Sequence, residues 1–187
     1  MNQINKSIRD NYSMYMSLLR CDKTTEQEIV ALSNGRGSHK RYRNARIDIT
    51  YSIGRVGYIS IRQSKSLLID YGFQVFAEGF PVPIFRFDAD GATHYNMDNE
   101  NLTLLEREIK TPHFHQFDAT GKEIAFRTTA LADFEFEVQN DINSGLSCFC
   151  EQFDIHCMSS KKIVVVEQTE LFPTEVFDDV HKGVIFP

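Results

Sequence analysis

Residues 111 to 127, Thr-Pro-His-Phe-His-Gln-Phe-Asp-Ala-Thr-Gly-Lys-Glu-Ile-Ala-Phe-Arg, decide how this chain folds. They read as a β-hairpin that carries two histidines. Successive side chains of a strand point to opposite faces, so His113, His115 and Phe117 share one face and Phe114 and Gln116 the other. Asp118 and Gly121 suit a type I turn closed by a left-handed glycine, a three-residue hairpin loop with a bulge. That turn pairs Asp118 with Lys122, setting Phe114 against Phe126 and His113 against Arg127. A loop one residue longer would put Phe126 opposite His113, because one step of slip inverts every side chain.

Thirty residues earlier the turn has an echo, Phe87-Asp-Ala-Asp-Gly-Ala, against Phe117-Asp-Ala-Thr-Gly-Lys. The same design there pairs Asp88 with Ala92 and sets Arg86 opposite His94. Upstream, Ile47, Ile49, Tyr51 and Ile53 alternate with Arg46, Asp48, Thr50 and Ser52, the period of a half-buried strand. Gly54-Arg-Val-Gly57 turns the chain and residues 58 to 62 return. Phe73 to Ala77 forms a further strand. Pro81 and Pro83 make 82 to 87 an edge strand or one with an irregular start, since proline donates no ladder hydrogen bond.

Helical spacing marks the remaining elements. Ile4, Ile8, Tyr12, Tyr15, Leu18 and Leu19 form one stripe over residues 4 to 20, and Ile142, Leu146, Phe149 and Phe153 another over 141 to 153. Thr25 and Glu28 form a capping-box pattern that opens a short helix through Leu32. Residues 98 to 110 read equally as short helix or loop. Residues 163 to 166, Ile-Val-Val-Val, read as a strand buried on both faces, and the tail from Leu171 has no clear period. The expected fold is α+β. A mainly antiparallel, twisted sheet of about six to eight strands has helices packed on one face. It forms a single domain over 1–187, with a helical N-terminal part (1–33) and a sheet-containing core (46–166).

At 187 residues the chain can bury a core without a staple. Its four cysteines, irregularly spaced, do not suggest a disulfide framework, and no apolar run approaches the roughly 18 residues of a membrane span. A cytoplasmic protein is the expectation. The net charge of −6 conceals an asymmetry: residues 1 to 66 carry 12 Lys and Arg against 5 Asp and Glu (+7), and residues 67 to 187 carry 8 against 21 (−13). The densest basic run holds Arg36, Lys40, Arg41, Arg43 and Arg46. It suits a nucleic-acid partner, and it equally suits attraction between the two halves, within one chain or across a homodimer.

Two imidazoles on one strand face stand about 6.6 to 7 Å apart at their Cα atoms, close enough to reach one metal ion. His94 is the candidate third ligand, and a divalent metal such as zinc the candidate cofactor. The same His94, His113 and His115 also suit metal-free acid–base chemistry, with Arg86, Arg127 and Asn96 binding substrate and the arginines holding a phosphate. Hydrogen-bonded structural histidines are the plainer alternative. Cys148, Cys150, His156 and Cys157 read as core cysteines rather than a zinc knuckle, and Asp88-Ala-Asp-Gly as a turn rather than a calcium loop.

Arg86-Phe-Asp88, His94-Tyr-Asn96 and Pro112-His-Phe-His115 resemble the R-x-D, H-x-N and P-H-x-H motifs of an uncharacterised family of small bacterial proteins. The likeness covers residues 46 to 157 and departs from the family at Thr93, where a proline is usual. It implies that Arg86, Asp88, His94, Asn96, His113 and His115 form one site, without naming a reaction. Two functions follow as expectations. One is a histidine-based or metal-binding hydrolase directed at phosphate, RNA or a nucleotide, such as a nuclease. The other is a non-catalytic interaction protein, such as an antitoxin, a phage or mobile-element inhibitor, or a regulator.

Overall fold

The computed structural model describes residues 4–35, 40–96, 103 and 107–167. Their framework is a ten-stranded sheet with the order β10-β9-β6-β5-β4-β3-β1-β11, in which β2 also joins β3 and carries β12 on its other side. The strands are β1 (Lys23–Thr25), β2 (Ile29–Asn34), β3 (Tyr42–Tyr51), β4 (Arg55–Ser64), β5 (Tyr71–Ala77), β6 (Phe85–Asp88), β9 (His113–Phe117), β10 (Glu123–Phe126), β11 (Ile155–Cys157) and β12 (Val164–Glu167). A separate two-stranded ribbon pairs β7 (His94–Tyr95) with β8 (Glu108–Ile109). Only β1–β11 and β2–β12 are parallel, so the fold is α+β around a mainly antiparallel sheet, larger than the six to eight strands expected.

Alternation sorts the side chains. Ile47, Ile49 and Tyr51 of β3 are buried while Asp48 and Thr50 face out. The cross-strand registers carry this parity through β4, β5, β6, β9 and β10, giving one apolar face and one polar face. Against the apolar face packs α5 (Ile142–Gln152), whose Asp141 cap accepts from the Asn143 and Ser144 N–H groups. Phe149 meets Phe73 and Phe85, and Phe153 meets Phe85 and Phe114. Each ring so buried contributes roughly 2–3 kcal/mol by transfer from water. Short helices α3 (Thr129–Asp133) and α4 (Glu135–Asn140) precede it, and the Tyr71 hydroxyl donates to the Val138 carbonyl of α4.

The N-terminal stripe forms two helices, α1 (Lys6–Asp10) and α2 (Tyr12–Arg20), broken at Asn11. Tyr15 stacks edge-on to Phe80 and Phe117 and accepts the Phe117 N–H at 2.7 Å. Lys23 is 1% exposed, and its Nζ donates to the carbonyls of Leu19, Cys21 and Phe153, joining the end of α2 to the end of α5.

Several expectations are corrected. The helix over 25 to 32 is β1 and β2, so the helical part ends at Arg20 and the sheet begins at Lys23. Thr25 Oγ1 accepts from Gln27, and Glu28 pairs with Lys161 instead of closing a capping box. Alternating Val30 and Leu32 then find partners in β3 and β12, and pairing on two sides outweighs a local cap signal. The first hairpin turns at Ser52 to Gly54, with Tyr51 opposite Arg55; Gly57 lies inside β4. There a Cβ would run into the Phe76 carbonyl and the Tyr51 ring, so close packing, not turning, calls for glycine. Strand β6 is interior, because Pro81 and Pro83 precede it and leave its donors intact. In β12 only Val165 is buried, so that strand covers the core with one face. Residue Arg107 and β8 end the doubtful 98 to 110 segment, most of which, with the tail from 171, lies outside the described residues. All four cysteines are free, and Cys150 and Cys157 are buried in the core.

Candidate metal centre

The hairpin that opened the sequence has the shorter of its two expected loops. Phe117 stands opposite Glu123 and Phe114 opposite Phe126, and the Asp118 N–H donates to the Lys122 carbonyl. Gly121 takes φ +79° against the Asn5 carbonyl of the N-terminal segment, a place and a backbone angle open only to glycine. This register points Phe114 into the aromatic core and His113 and His115 to the polar face, where both are nevertheless only 2% exposed.

Their neighbours come from β6. Asp88 stands directly opposite His113 and Arg86 directly opposite His115. The earlier turn does not form the expected hairpin. Its strand pairs with β5 and β9, so Arg86 faces His115 rather than His94. His94 arrives by another route. Ribbon β7–β8 lies beside the sheet, and Asn96 ties it down by donating to the Ala125 carbonyl at 2.7 Å and accepting the Ala125 N–H at 3.0 Å. Asn96 therefore satisfies the outward backbone groups of β10 and positions its neighbour. It was expected to bind substrate, and its amide is engaged with the strand instead.

The three imidazoles converge. Ring centroids lie 4.5 Å apart for His113 and His115, 5.1 Å for His94 and His115, and 6.3 Å for His94 and His113. One donor atom each from Asp88, His113 and His115 falls within 4.8 Å of the others; His94 stands outside that group, and Asp88 takes the place expected of it. The Asp88 carboxylate is 3.1 Å from His115 Nε2 and 3.9 Å from His113 Nε2. Arg86 reaches Asp88 at 3.0 Å, His115 Nε2 at 2.9 Å and Glu123 at 3.4 Å. Two buried ring atoms, Nδ1 of His113 and Nε2 of His94, have no hydrogen-bond partner. An unsatisfied buried polar atom is costly, so two of them on neighbouring rings call for an explanation.

Electrostatics keep the His113 and His94 rings neutral. Burial, reinforced by neighbouring His115, pushes His113 down to about 4, and burial with the same neighbour lowers His94. Burial alone would raise Asp88, but the hydrogen bond from His115 and the Arg86 charge outweigh it and hold the carboxyl below its usual range. His113 and His94 thus present neutral imidazoles beside an ionised Asp88, protonation states that suit a metal ion.

Arg127 does not join it. The paired ladder ends at Phe126, and the Arg127 guanidinium turns to Glu135 in the first turn of α4, at 2.6 Å. Glu123 does join, and sequence reasoning missed it. The register that fixes Phe117 opposite Glu123 places that carboxylate on the histidine face, two residues from the partner of His115. Within the basic run, Arg43 pairs with Glu167 and Arg46 with Asp48 at 2.7 Å. Arg36 and His39 lie outside the described residues. The pair Arg43–Glu167 joins the cationic and anionic halves within one chain, as the intramolecular reading expects.

Two hollows flank Pro81. The larger, about 910 Å³, is walled by stacked Tyr58 and Phe76, with Arg46 3.9 Å over the Tyr58 ring, and lies away from the histidines. A smaller groove of about 650 Å³ contains Arg86 and Glu123.

Fold and site together define a class, an α+β protein whose helix-backed sheet presents a three-histidine, one-aspartate cluster on its polar face. Compared with known proteins, the chain matches no family model, no curated protein and no solved structure. The site is therefore read from its own geometry. Among the described residues no helix is long and apolar enough to cross a membrane.

Proposed function

We propose that the protein is a metal-dependent hydrolase of phosphate esters, with Asp88, His113 and His115 holding a divalent cation, zinc being the ion their donor set suits best. Two imidazoles and one carboxylate are a three-ligand set that leaves a position for water. The observation that carries this reading is the convergence of those donor atoms within 4.8 Å, with both imidazole rings buried. A bound cation would supply an activated water and polarise the phosphoryl oxygen. His94, outside the ligand group with its Nε2 unpartnered, takes a proton from that water and returns it to the departing ester oxygen. Arg86 has the role of anion clamp. In the cluster it faces two carboxylates, Asp88 and Glu123, so the site carries a net −1 that welcomes a cation.

Hydrolysis of p-nitrophenyl phosphate by the full chain, with zinc or manganese added after chelation, tests the reading. Metal-dependent turnover that falls at least about 100-fold in His113→Ala and His115→Ala, at unchanged melting temperature without metal, supports it. Turnover that survives both substitutions, or none with any divalent ion, refutes it.

A non-catalytic interaction protein is the second reading. It is favoured by Phe134 and Phe136, 60% and 74% exposed beside one another on α3 and α4. Such rings are enriched in protein contacts.

A further inference from the structure

We infer that the groove between the N-terminal segment and the Pro81–Pro83 wall is the ligand subsite of this centre, built for a phosphate monoester bearing a compact apolar group. The inference rests on the phosphate reading above and names the substrate class for it. Four observations support it.

The groove abuts the centre and does not merely lie near it: Arg86 and Glu123, both in contact with His115, form its inner end. Its volume, about 650 Å³, falls within the roughly 300–1,000 Å³ typical of small-molecule sites. Its chemistry is divided. Ile4, Val82, Pro83 and Phe117 offer apolar contact, while Lys6 at the outer end and Arg86 at the inner end are cationic. Among the described residues Lys6 is exposed and forms no ion pair, so its charge is available to a ligand. With Glu123 in the lining and Asp88 3.0 Å behind Arg86, the charges balance, and the cation left without a carboxylate among the described residues is Lys6.

The alternative hollow has the wrong sign. Across Pro81, Arg46 is set against Glu26, Asp48 and Glu78, a net −2. An anion is drawn to the smaller groove although the larger is the more spacious. Polynucleotide is also disfavoured. Among the described residues, the arginines along the rest of the polar face sit beside carboxylates, Arg46 with Asp48 at 2.7 Å and Arg62 with Asp70 at 3.8 Å, and form no continuous cationic track to the site.

The walls are fixed rather than improvised. The Asn5 N–H donates to the Gly121 carbonyl at 2.7 Å, which ties the Lys6 segment to the hairpin turn that carries Glu123 and Phe117 on its flanks. Pro81 and Pro83 restrict the opposite wall through their fixed backbone angle.

Calorimetric titration of the metal-free full chain with phenyl phosphate, inorganic phosphate and a ten-nucleotide single-stranded RNA tests the subsite apart from the metal. Phenyl phosphate should bind about tenfold more tightly than inorganic phosphate, and Lys6→Glu should weaken it about five- to tenfold. Lys6 is exposed on the first turn of α1, so the variant should fold, and zinc affinity should be unchanged in it. Equal binding of the two phosphates, indifference to Lys6→Glu, or RNA binding more tightly than phenyl phosphate would each overturn the subsite. Loss of zinc binding in the wild-type chain would instead overturn the metal reading, so the two failures are distinguishable.

Discussion

The polar face of the sheet has two ends with opposite habits. Over β3, β4 and β5 its charged groups are exposed and partnered: Arg46 meets Asp48 and lies over Tyr58, and Arg62 meets Asp70 and lies over Tyr42. Over β6, β9 and β10 two buried histidines, His113 and His115, lie close to half-buried Arg86, Asp88, Glu123 and His94, and His113 Nδ1 and His94 Nε2 are left open. Exposed ion pairs of the first kind are an ordinary way to keep a sheet face soluble. A buried cluster with open lone pairs has a stability cost with no structural return, and so the second end is where chemistry is expected.

The contrast can be broken most forcefully with pH. His113 titrates near 4 in the folded chain against an ordinary value near 6.5, so the unfolded chain binds the proton more readily. Its contribution to stability is fully present above pH 6.5 and is lost as pH falls from there towards 4. The loss is on the order of 3 kcal/mol for a shift of that size. Chemical denaturation in the presence of chelator should show this slope, and His113→Ala should flatten it. A wild-type midpoint constant across that window would show that the ring is not buried neutral.

A smaller effect sharpens the comparison by loosening the cover over the histidine end. Asn96→Ala removes both hydrogen bonds to Ala125 and should cost about 1–2 kcal/mol in melting experiments. It should also lower turnover by about tenfold, through displaced His94, with zinc affinity unchanged. Stability loss without any functional change would leave Asn96 a purely structural clasp. Least of all should change at the other end. Arg46→Ala and Arg62→Ala remove exposed pairs and should each cost under about 1 kcal/mol, with turnover unaffected.

How much of this was legible in the sequence differs along the chain for physical reasons. Two sites were read well, the 142–152 helix and the 111–127 hairpin, since each is set by local rules: a 3.6-residue stripe with an Asp cap, and an Asp-x-x-Gly turn that fixes register. The same turn residues at 88 to 91 misled, because turn chemistry bends the chain but does not choose its partner. Here β9 arrived from 25 residues on and took the place beside β6 that the local hairpin would have filled. Residues 25 to 32 were misread for a related reason: β2 is a strand through its partners, β3 directly after it and β12 near the other end of the sheet-forming chain, which a local cap pattern does not reveal. At the site, alternation puts His113 and His115 on one face, and the β6–β9 pairing, not the turn at 88 to 91, brings Arg86 to them. Arg127 was lost to Glu135, a competitor that strand register could not reveal, and Asn96 to a backbone clasp visible only once β7 is laid against β10. Glu123 was recoverable from the register and was overlooked.

The central claim is that His113, His115 and Asp88 take up one divalent cation. Titrating zinc into the full chain while following the ring nitrogens by long-range ¹H–¹⁵N NMR tests it most directly. The claim predicts that the ring signals of His113 and His115 shift together and saturate at one equivalent, and that neither shift survives in Asp88→Asn at the same zinc concentration. Ring signals that stay in place while zinc is added, or that move independently of Asp88, would contradict it.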